Sequence, residues 1–330
     1  MKNDNVIIVG AGVAGLSCAR TLIKHGVPVE ILEKSLYSGG RCATRHSEYG
    51  SFDHGAQYFT ARTGDFQSLI KELQEKKLVK ELPFPVKKIT DVGQMASLPF
   101  EPRYTAVPGM IALPRYLSNG LPISYSTKVL SAKRLGTKWQ LVVSKDGKSS
   151  EKIATTLIFA IPVDQIFQIS DSIDIKKYIG DFRMDPCWAA IFAFDQKIVS
   201  SFSALMLEES PKQPLSWIMR NFNKNNIDGT ERWVLHAGPK WSQANLETGP
   251  DRVNELLFRA FSKITGVDSF SFSDTKLWRF ASGGRSNSYG CVFDQPNRFI
   301  ACGDWANGGR IEGAWNSGKI AARRFLDLGR

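Results

Sequence analysis

Three glycines near the N-terminus constrain this chain more than any other feature. Gly10, Gly12 and Gly15 form a G-x-G-x-x-G turn, which suits a strand running in, a helix running out and a phosphate lying on the backbone between them. The flanks agree. Asn5 to Val9 (NVIIV) has the continuous apolar character of a strand buried on both faces, and Ala14 to His25 places Leu16, Ala19, Leu22 and Ile23 on one helical side. Val29 to Leu32 is a second strand. The opening segment is therefore a βαβ unit with parallel strands and a right-handed crossover. Its first glycine serves the tight turn, its second the approach of a pyrophosphate and its third the helix–strand contact, while the helix N-terminus offers free N–H groups and partial positive charge.

Glu33 closes the second strand, where a carboxylate accepts hydrogen bonds from a ribose diol and repels a 2′-phosphate. An ADP-containing cofactor, FAD or NAD, is implied by that pairing. Gly39-Gly40-Arg41 comes next. At the other end of the chain Ala301-Cys302-Gly303-Asp304 ends a strand and Ile311-Glu312-Gly313-Ala314 opens a helix. An aspartate there can bind ribityl hydroxyls, and a second helix N-terminus can stabilise the negative charge of a reduced isoalloxazine.

The glutamate–spacer–GGR arrangement and the GD…EGA pattern resemble the amine-oxidase-type flavoprotein superfamily. Closer resemblance comes from Phe52-Asp53-His54-Gly55-Ala56-Gln57-Tyr58-Phe59-Thr60-Ala61-Arg62, His236 to Ser242, Leu277 to Ala281 and Gly309 to Trp315. Together these look like the renalase family, more its bacterial than its animal members, over essentially the whole chain. The resemblance implies an FAD/NAD(P)-binding Rossmann-like domain of α/β class interleaved with an α+β substrate domain, of the amine-oxidase/p-hydroxybenzoate-hydroxylase kind. It further implies that Ala14, Glu33, Arg41, Gln57, Tyr58, Asp304 and Gly313 touch FAD and that the Val129 backbone meets the adenine. Lys34, Gly303 and Glu312 stand beside these motifs and join the expected cofactor set with Gly10, Gly12 and Gly15. FAD is expected without a covalent bond, because Cys302 lies in the strand before Gly303 and the position used by covalent relatives falls in Ala281-Ser282-Gly283-Gly284-Arg285.

The implied reaction is oxidation of the 2- or 6-dihydro isomers of β-NAD(P)H, with O₂ taking the electrons and H₂O₂ leaving. Gln57, Tyr58 and Thr60 are expected to face the nicotinamide, with His236 as a further catalytic candidate. True amine oxidases of the superfamily carry an aromatic residue two before the EGA triplet, as one wall of a cage for the amine. Arg310 stands there in this chain. A guanidinium repels a protonated amine and attracts phosphate or carboxylate, so an anionic substrate is expected. An amine or polyamine oxidase is the alternative enzyme, and a non-catalytic flavin- or nucleotide-binding regulator the alternative of another class. His54 reads as a hydrogen-bonded core histidine, and Trp241 and Trp278 as packing residues.

Charge supports the anionic partner without demanding it. Lys and Arg number 43 against 32 Asp and Glu, a formal +11, but the basic residues come as scattered pairs with no run of five, so a nucleic-acid groove is not expected. Five cysteines with no C-x-x-C spacing and four histidines with no paired spacing indicate neither a zinc site nor a disulfide framework, and such thiols fit the cytoplasm. No apolar run approaches a membrane span.

Further along, residues 66 to 80 have helical periodicity, and Pro83, Pro85, Pro99, Pro102 and Pro108 leave edge strands or irregular chain. Met110 to Ser118 reads as a short helix that Pro114 should interrupt. Strands are expected at Ser124 to Lys128, Lys138 to Val143, Thr156 to Ala160, Trp188 to Asp195, Arg232 to Ala237 and Phe299 to Cys302, and helices at Asp251 to Ile264 and Glu312 to Phe325. The expected cofactor domain takes residues 1–75, 109–165 and 276–330, and the substrate domain 76–108 and 166–275.

Overall fold

A computed structural model describes residues 4–89, 94–172, 174–221, 230–282 and 289–328. The βαβ unit forms as expected: β1 (Val6–Val9), α1 (Val13–Lys24) and β2 (Val29–Leu32), with β1 and β2 parallel and in register from Val6–Val29 to Val9–Leu32. They belong to a six-stranded sheet in the order Val292–Asp294, Phe299–Ala301, Thr156–Phe159, β1, β2, Ile123–Ser124. All neighbours are parallel except the outer pair, Val292–Asp294 against Phe299–Ala301. Every residue of β1 is buried, because the sheet is covered on both sides.

On one side lie α1, the C-terminal helix Ile311–Asp327, α2 (Gly64–Glu75) and the short helix Ala112–Ser118. On the other lies an antiparallel meander of Thr127–Leu135, Lys138–Lys145 and Lys148–Ala154, with buried Trp139 donating its indole N–H to the Asn297 carbonyl at 2.9 Å. Pro114 does not interrupt its helix. It occupies the third position, where a missing N–H has no carbonyl to lose. Two other expectations shift. The helix of 64–75 stops before Val79–Glu81, which pairs with Tyr104–Ala106, and the strand expected at 124–128 is broken by Ser126, whose φ of 52° ends one strand and starts the next.

A second sheet of seven strands runs in the order Phe272–Ser282, Asp185–Phe194, Glu231–Ala237, Leu215–Arg220, Ala204–Met206, Lys87–Ile89, Met95–Ser97. Phe272–Ser282 pairs along most of its length with Asp185–Phe194, so the strand runs through residue 276 without a break. The helix Pro250–Thr265 packs its Val253, Leu257 and Phe261 on one face of this sheet against Trp188, Phe192, Trp233 and Leu235. The opposite face carries Ile191, Ala193 and Val234 and receives Phe52 from the hairpin of β3 (Arg45–Ser47) and β4 (Gly50–Phe52). Among the described residues no helix is long and apolar enough to cross a membrane.

The two chain ends meet through backbone. A Cβ placed on Gly318 of the C-terminal helix would lie 2.1 Å from the Ala14 carbonyl oxygen and 3.0 Å from the Cys18 nitrogen, and Ser17 Oγ donates to the Trp315 carbonyl at 2.8 Å. Neither helix can yield without moving the glycine turn that α1 carries. Gly318→Val should therefore lower the melting temperature of the purified protein by roughly 3–8 °C, the overpacking cost of a buried helix crossing read by thermal denaturation.

Candidate functional site

Gly10 turns the chain at φ 104°, and a Cβ there would strike the Ala160 carbonyl oxygen at 2.7 Å; one on Gly15 would reach the Gly10 carbonyl oxygen at 2.1 Å. Only glycine permits that pair of approaches. Gly12 differs, since no heavy atom lies within 4 Å of where its Cβ would stand. The second glycine loop lies beside it: Gly39 N–H donates to the Ala11 carbonyl at 3.0 Å, and a Cβ on Gly40 would be 3.7 Å from Gly12 Cα. Two bare backbones thus line a space open to a diphosphate, at the start of a helix that begins at Val13. Ala14, in the first turn of that helix, is buried.

Glu33 is buried at the end of β2, its Oε2 accepting from Ala11 N at 2.8 Å and its Oε1 from Ser35 N at 2.8 Å. Those bonds fix the carboxylate beside the glycine turn and leave lone pairs for a diol. Thr127 N–H donates to the Glu33 carbonyl at 2.8 Å, which brings the following Val129 into the same cluster as Leu32 and Val9. Lys34 is exposed.

The motifs point Arg41 and Asp304 each at the cofactor, and the structure pairs them with each other. Two parallel hydrogen bonds join the guanidinium to the carboxylate, one of them Nη1 to Oδ2 at 2.9 Å, and Nη1 also donates to the Ala281 carbonyl at 2.7 Å. Burial works against the guanidinium charge, but Asp304 outweighs it and raises the Arg41 pKa. Among the described residues Nε–H and the second Nη2 proton have no partner, and a phosphate could take them. Of Ala281-Ser282-Gly283-Gly284-Arg285, residues 283–285 lie outside the described residues. Cys302 is fully buried, and burial drives its thiol well above the ordinary range.

The C-terminal helix starts at Ile311 after Arg310 and carries Glu312 and Gly313 in its first turn. Glu312 is buried, and its carboxylate accepts from Arg62 N at 3.0 Å, Thr63 N at 2.6 Å and Thr63 Oγ1 at 2.7 Å. Thr63 is the residue before α2, so this glutamate caps a neighbouring helix, a role its motif does not announce. Gly313 lets the helix press on the preceding loop, for a Cβ there would lie 1.9 Å from the Asn307 oxygen. Gly303 N–H donates to Ser317 Oγ at 3.0 Å. Among the described residues the N–H groups of Ile311, Glu312 and Gly313 have no partner, as the first turn of a helix leaves them.

Across from this helix, a chain of polar contacts threads through aromatic rings. Trp217 Nε1–H donates to Gln57 Oε1 at 2.9 Å, Gln57 Nε2 lies 3.3 Å from His236 Nε2, and His236 Nε2 lies 3.1 Å from the His54 carbonyl oxygen. Trp278 Nε1–H donates to the same carbonyl at 3.1 Å, and the His54 and Trp278 rings stack at 5.2 Å. Trp217 and His236 are direct cross-strand partners, so their side chains share one face of the large sheet. Tyr58 packs on Trp217 with ring centres 5.5 Å apart, and Thr60 Oγ1 is buried without a partner among the described residues. Trp278 thus belongs to the site, while Trp241 is buried on the other face, with the helix Pro250–Thr265. Sequence reasoning misses Trp217; the alternation of Leu215–Arg220 after Pro214 is its only signal.

Both histidines are electrically neutral near pH 7. Burial lowers His54 to about 4, reinforced by Lys276, and burial lowers His236 to about 4, against the hydrogen bond to the His54 carbonyl. Arg310, by contrast, is exposed at the helix start.

Residues 86–326 match the family model for flavin containing amine oxidoreductase, and residues 8–73 the model for an NAD(P)-binding Rossmann-like domain. The chain belongs to the flavin-containing amine oxidoreductase family. The family is a flavin-containing one, and the cofactor of this oxidoreductase is FAD. It is similar in fold to a protein from Exiguobacterium sp. 255-15 assigned as a protoporphyrinogen oxidase, with a TM-score of 0.79 and 12% identity over the whole of both chains. A putrescine oxidase with putrescine bound gives 0.72 and 13%, covering 98% of this chain and 99% of that one. In sequence it is 49% identical over 51 residues to phytoene desaturase of Fusarium fujikuroi, 16% of this chain and 9% of that protein. It is also 34% identical over 94 residues to lysine-specific histone demethylase 1 homolog 3 of Oryza sativa subsp. indica, 27% of this chain and 11% of that one. The matched segment therefore spans about a tenth of these curated relatives' length.

Two outcomes are expected. Asp304→Asn should yield protein that folds but retains much less flavin per chain, measured as the ratio of flavin to protein absorbance after gel filtration. Because each histidine is harder to protonate in the folded state than at its ordinary 6.5, the unfolded chain binds the extra protons. Stability should fall as pH drops from 6.5 towards 4, by about 1.4 kcal/mol per pH unit for each group. Urea titrations across that window should show a shallower fall in His236→Gln.

Proposed function

We propose that this oxidoreductase is an oxidase of dihydropyridine isomers of β-NAD(P)H, those carrying the reducing hydrogen at ring position 2 or 6. The observation that carries the reading is Arg310, exposed at the start of the C-terminal helix, where an amine-clasping enzyme would need an aromatic wall. A positive residue there favours a phosphate-bearing guest over a protonated amine. The scattered excess of basic residues, +11 in all, points the same way.

Bound FAD supplies the hydride acceptor and the route by which two electrons reach O₂, so that substrate, O₂ and one proton give the oxidised dinucleotide and H₂O₂. The chain's own residues bind and orient. Arg310 holds the negative end of the substrate. Tyr58, Trp217 and Trp278 form an apolar wall that keeps water from the ring. Gln57, fixed by Trp217 Nε1 and by Thr105 Oγ1 on its own carbonyl at 3.2 Å, presents an amide whose orientation is set before substrate arrives. Thr60 Oγ1 offers a hydroxyl with its hydrogen-bonding capacity unspent. Neutral His236 and His54 themselves add no positive charge that would oppose the forming pyridinium. Loss of hydride from a dihydropyridine needs no base.

Oxidation of an amine or polyamine is the second reading, favoured by the family itself and by the likeness to putrescine oxidase. Anaerobic stopped-flow mixing separates the two. The flavin's visible band should bleach within seconds on mixing with 6-dihydro-NAD and stay unchanged with putrescine or benzylamine; bleaching by an amine alone would give the second reading the site.

A further inference from the structure

The segment that leaves the aromatic wall, from Gln57 to Arg62, ends in a cluster of three arginines around one carboxylate. Arg62 Nε donates to Glu101 Oε1 at 2.5 Å. Arg103 Nη1 donates to the Glu101 backbone carbonyl at 3.2 Å, and its guanidinium lies 6.0 Å from the centre of the Tyr58 ring. Arg310 is the third, near enough for its charge to act on the same carboxylate. The hydrogen bond from Arg62 lowers the Glu101 pKa against the effect of burial, with further lowering from the charges of Arg62, Arg103 and Arg310.

From this arrangement we infer that Glu101 is an internal stand-in for the substrate's phosphate, held on Arg62 until a phosphate-bearing guest displaces it. The inference rests on the anionic-substrate reading above and names the group that competes with the substrate. Three features support it. Arg62 is anchored by main chain, since its N–H donates to buried Glu312 while its guanidinium stays 47% exposed. The cation is thus held in place while its partner can move. Among the described residues Glu101 uses a single oxygen on a single nitrogen, Nε, and neither Nη group of Arg62 has a partner, so a pyrophosphate can take them in the forked manner that Glu101 does not. Finally, the pair is half open to solvent, and exposed ion pairs of this kind are weak. A doubly charged group meeting Arg62, Arg103 and Arg310 together therefore outcompetes one carboxylate.

Removing the competitor should tighten anion binding, whereas a Glu101 that merely positions Arg62 would on removal weaken it. Inorganic pyrophosphate titrated onto the FAD-loaded enzyme by calorimetry should bind about 3–10 times more tightly to Glu101→Gln than to the unchanged protein, the range expected for loss of one nearby like charge at a partly exposed site. Arg62→Gln should bind it more weakly than either. In turnover, Glu101→Gln should lower KM for 6-dihydro-NAD by a similar factor and leave KM for N-methyl-6-dihydronicotinamide, which has no phosphate, within about twofold. Equal or weaker pyrophosphate binding by Glu101→Gln overturns the inference, as does a KM that shifts equally for both substrates. If neither dihydropyridine is oxidised, the proposed reaction fails, while the pyrophosphate titration still decides the role of Glu101.

Discussion

One ion pair ties the molecule's function to its topology: Arg41 from the second glycine loop gripping Asp304 from the far end of the chain by two parallel hydrogen bonds. Neither residue is local to the other. For them to meet, Phe299–Ala301 must add to the parallel sheet beside Thr156–Phe159, and α1 must lie against the C-terminal helix at Gly318. The pair is largely enclosed, with Asp304 side-chain exposure of 9%. Losing one partner there strands the other charge, at a cost on the order of several kcal/mol, even though an apolar replacement of both could be neutral. Its value is placement. It brings the second glycine loop, the Asp304 carboxylate and the loop before the C-terminal helix together.

Much of the fold is legible in the sequence because the decisive residues encode local geometry. Gly10 and Gly15 can be read without a partner in view, since each is required by an approach of backbone to backbone that any side chain forbids. Strands buried on both faces, such as Val6–Val9 and Thr156–Phe159, announce themselves as apolar runs. The meander strand Lys148–Ala154 does not, because its sequence KSSEKIA faces solvent along most of its length and has no apolar alternation to detect. Pro114 misleads in the other direction: its cost depends on where the helix begins, which periodicity places only to within a turn.

At the site, residue types are legible and partnerships are not. Gln57 and His236 can be singled out from the resemblance, but nothing in one dimension says that Trp217 donates to Gln57 or that His54 offers its carbonyl to His236 and Trp278. Those contacts arise across strands of the large sheet and between that sheet and the segment after β4. Likewise Glu312 reads as part of a cofactor motif, yet its carboxylate is taken by Arg62 and Thr63 N–H groups. Those bonds fix where α2 starts relative to the C-terminal helix.

Two glutamates near the mouth thus divide the labour according to burial. Glu312 is enclosed and bonded to backbone, so exchanging its partners would leave buried N–H groups unsatisfied, a cost that keeps it fixed. Glu101 is part exposed and bonded to one side chain, so water or another anion can replace it with little loss. The same arginine connects them, its main chain on the fixed carboxylate and its guanidinium on the replaceable one. A cation held from behind and loosely covered in front is suited to recognising charge at an entrance: it costs little to uncover and loses little order when a guest arrives. In the reaction we propose, that arrangement would separate capture of an anion from the aromatic region around Gln57, His236 and Trp278. The two regions are joined by the short stretch from Gln57 to Arg62, so under the proposed reading an anion on the arginines and a ring on the wall would be held by the same run of backbone.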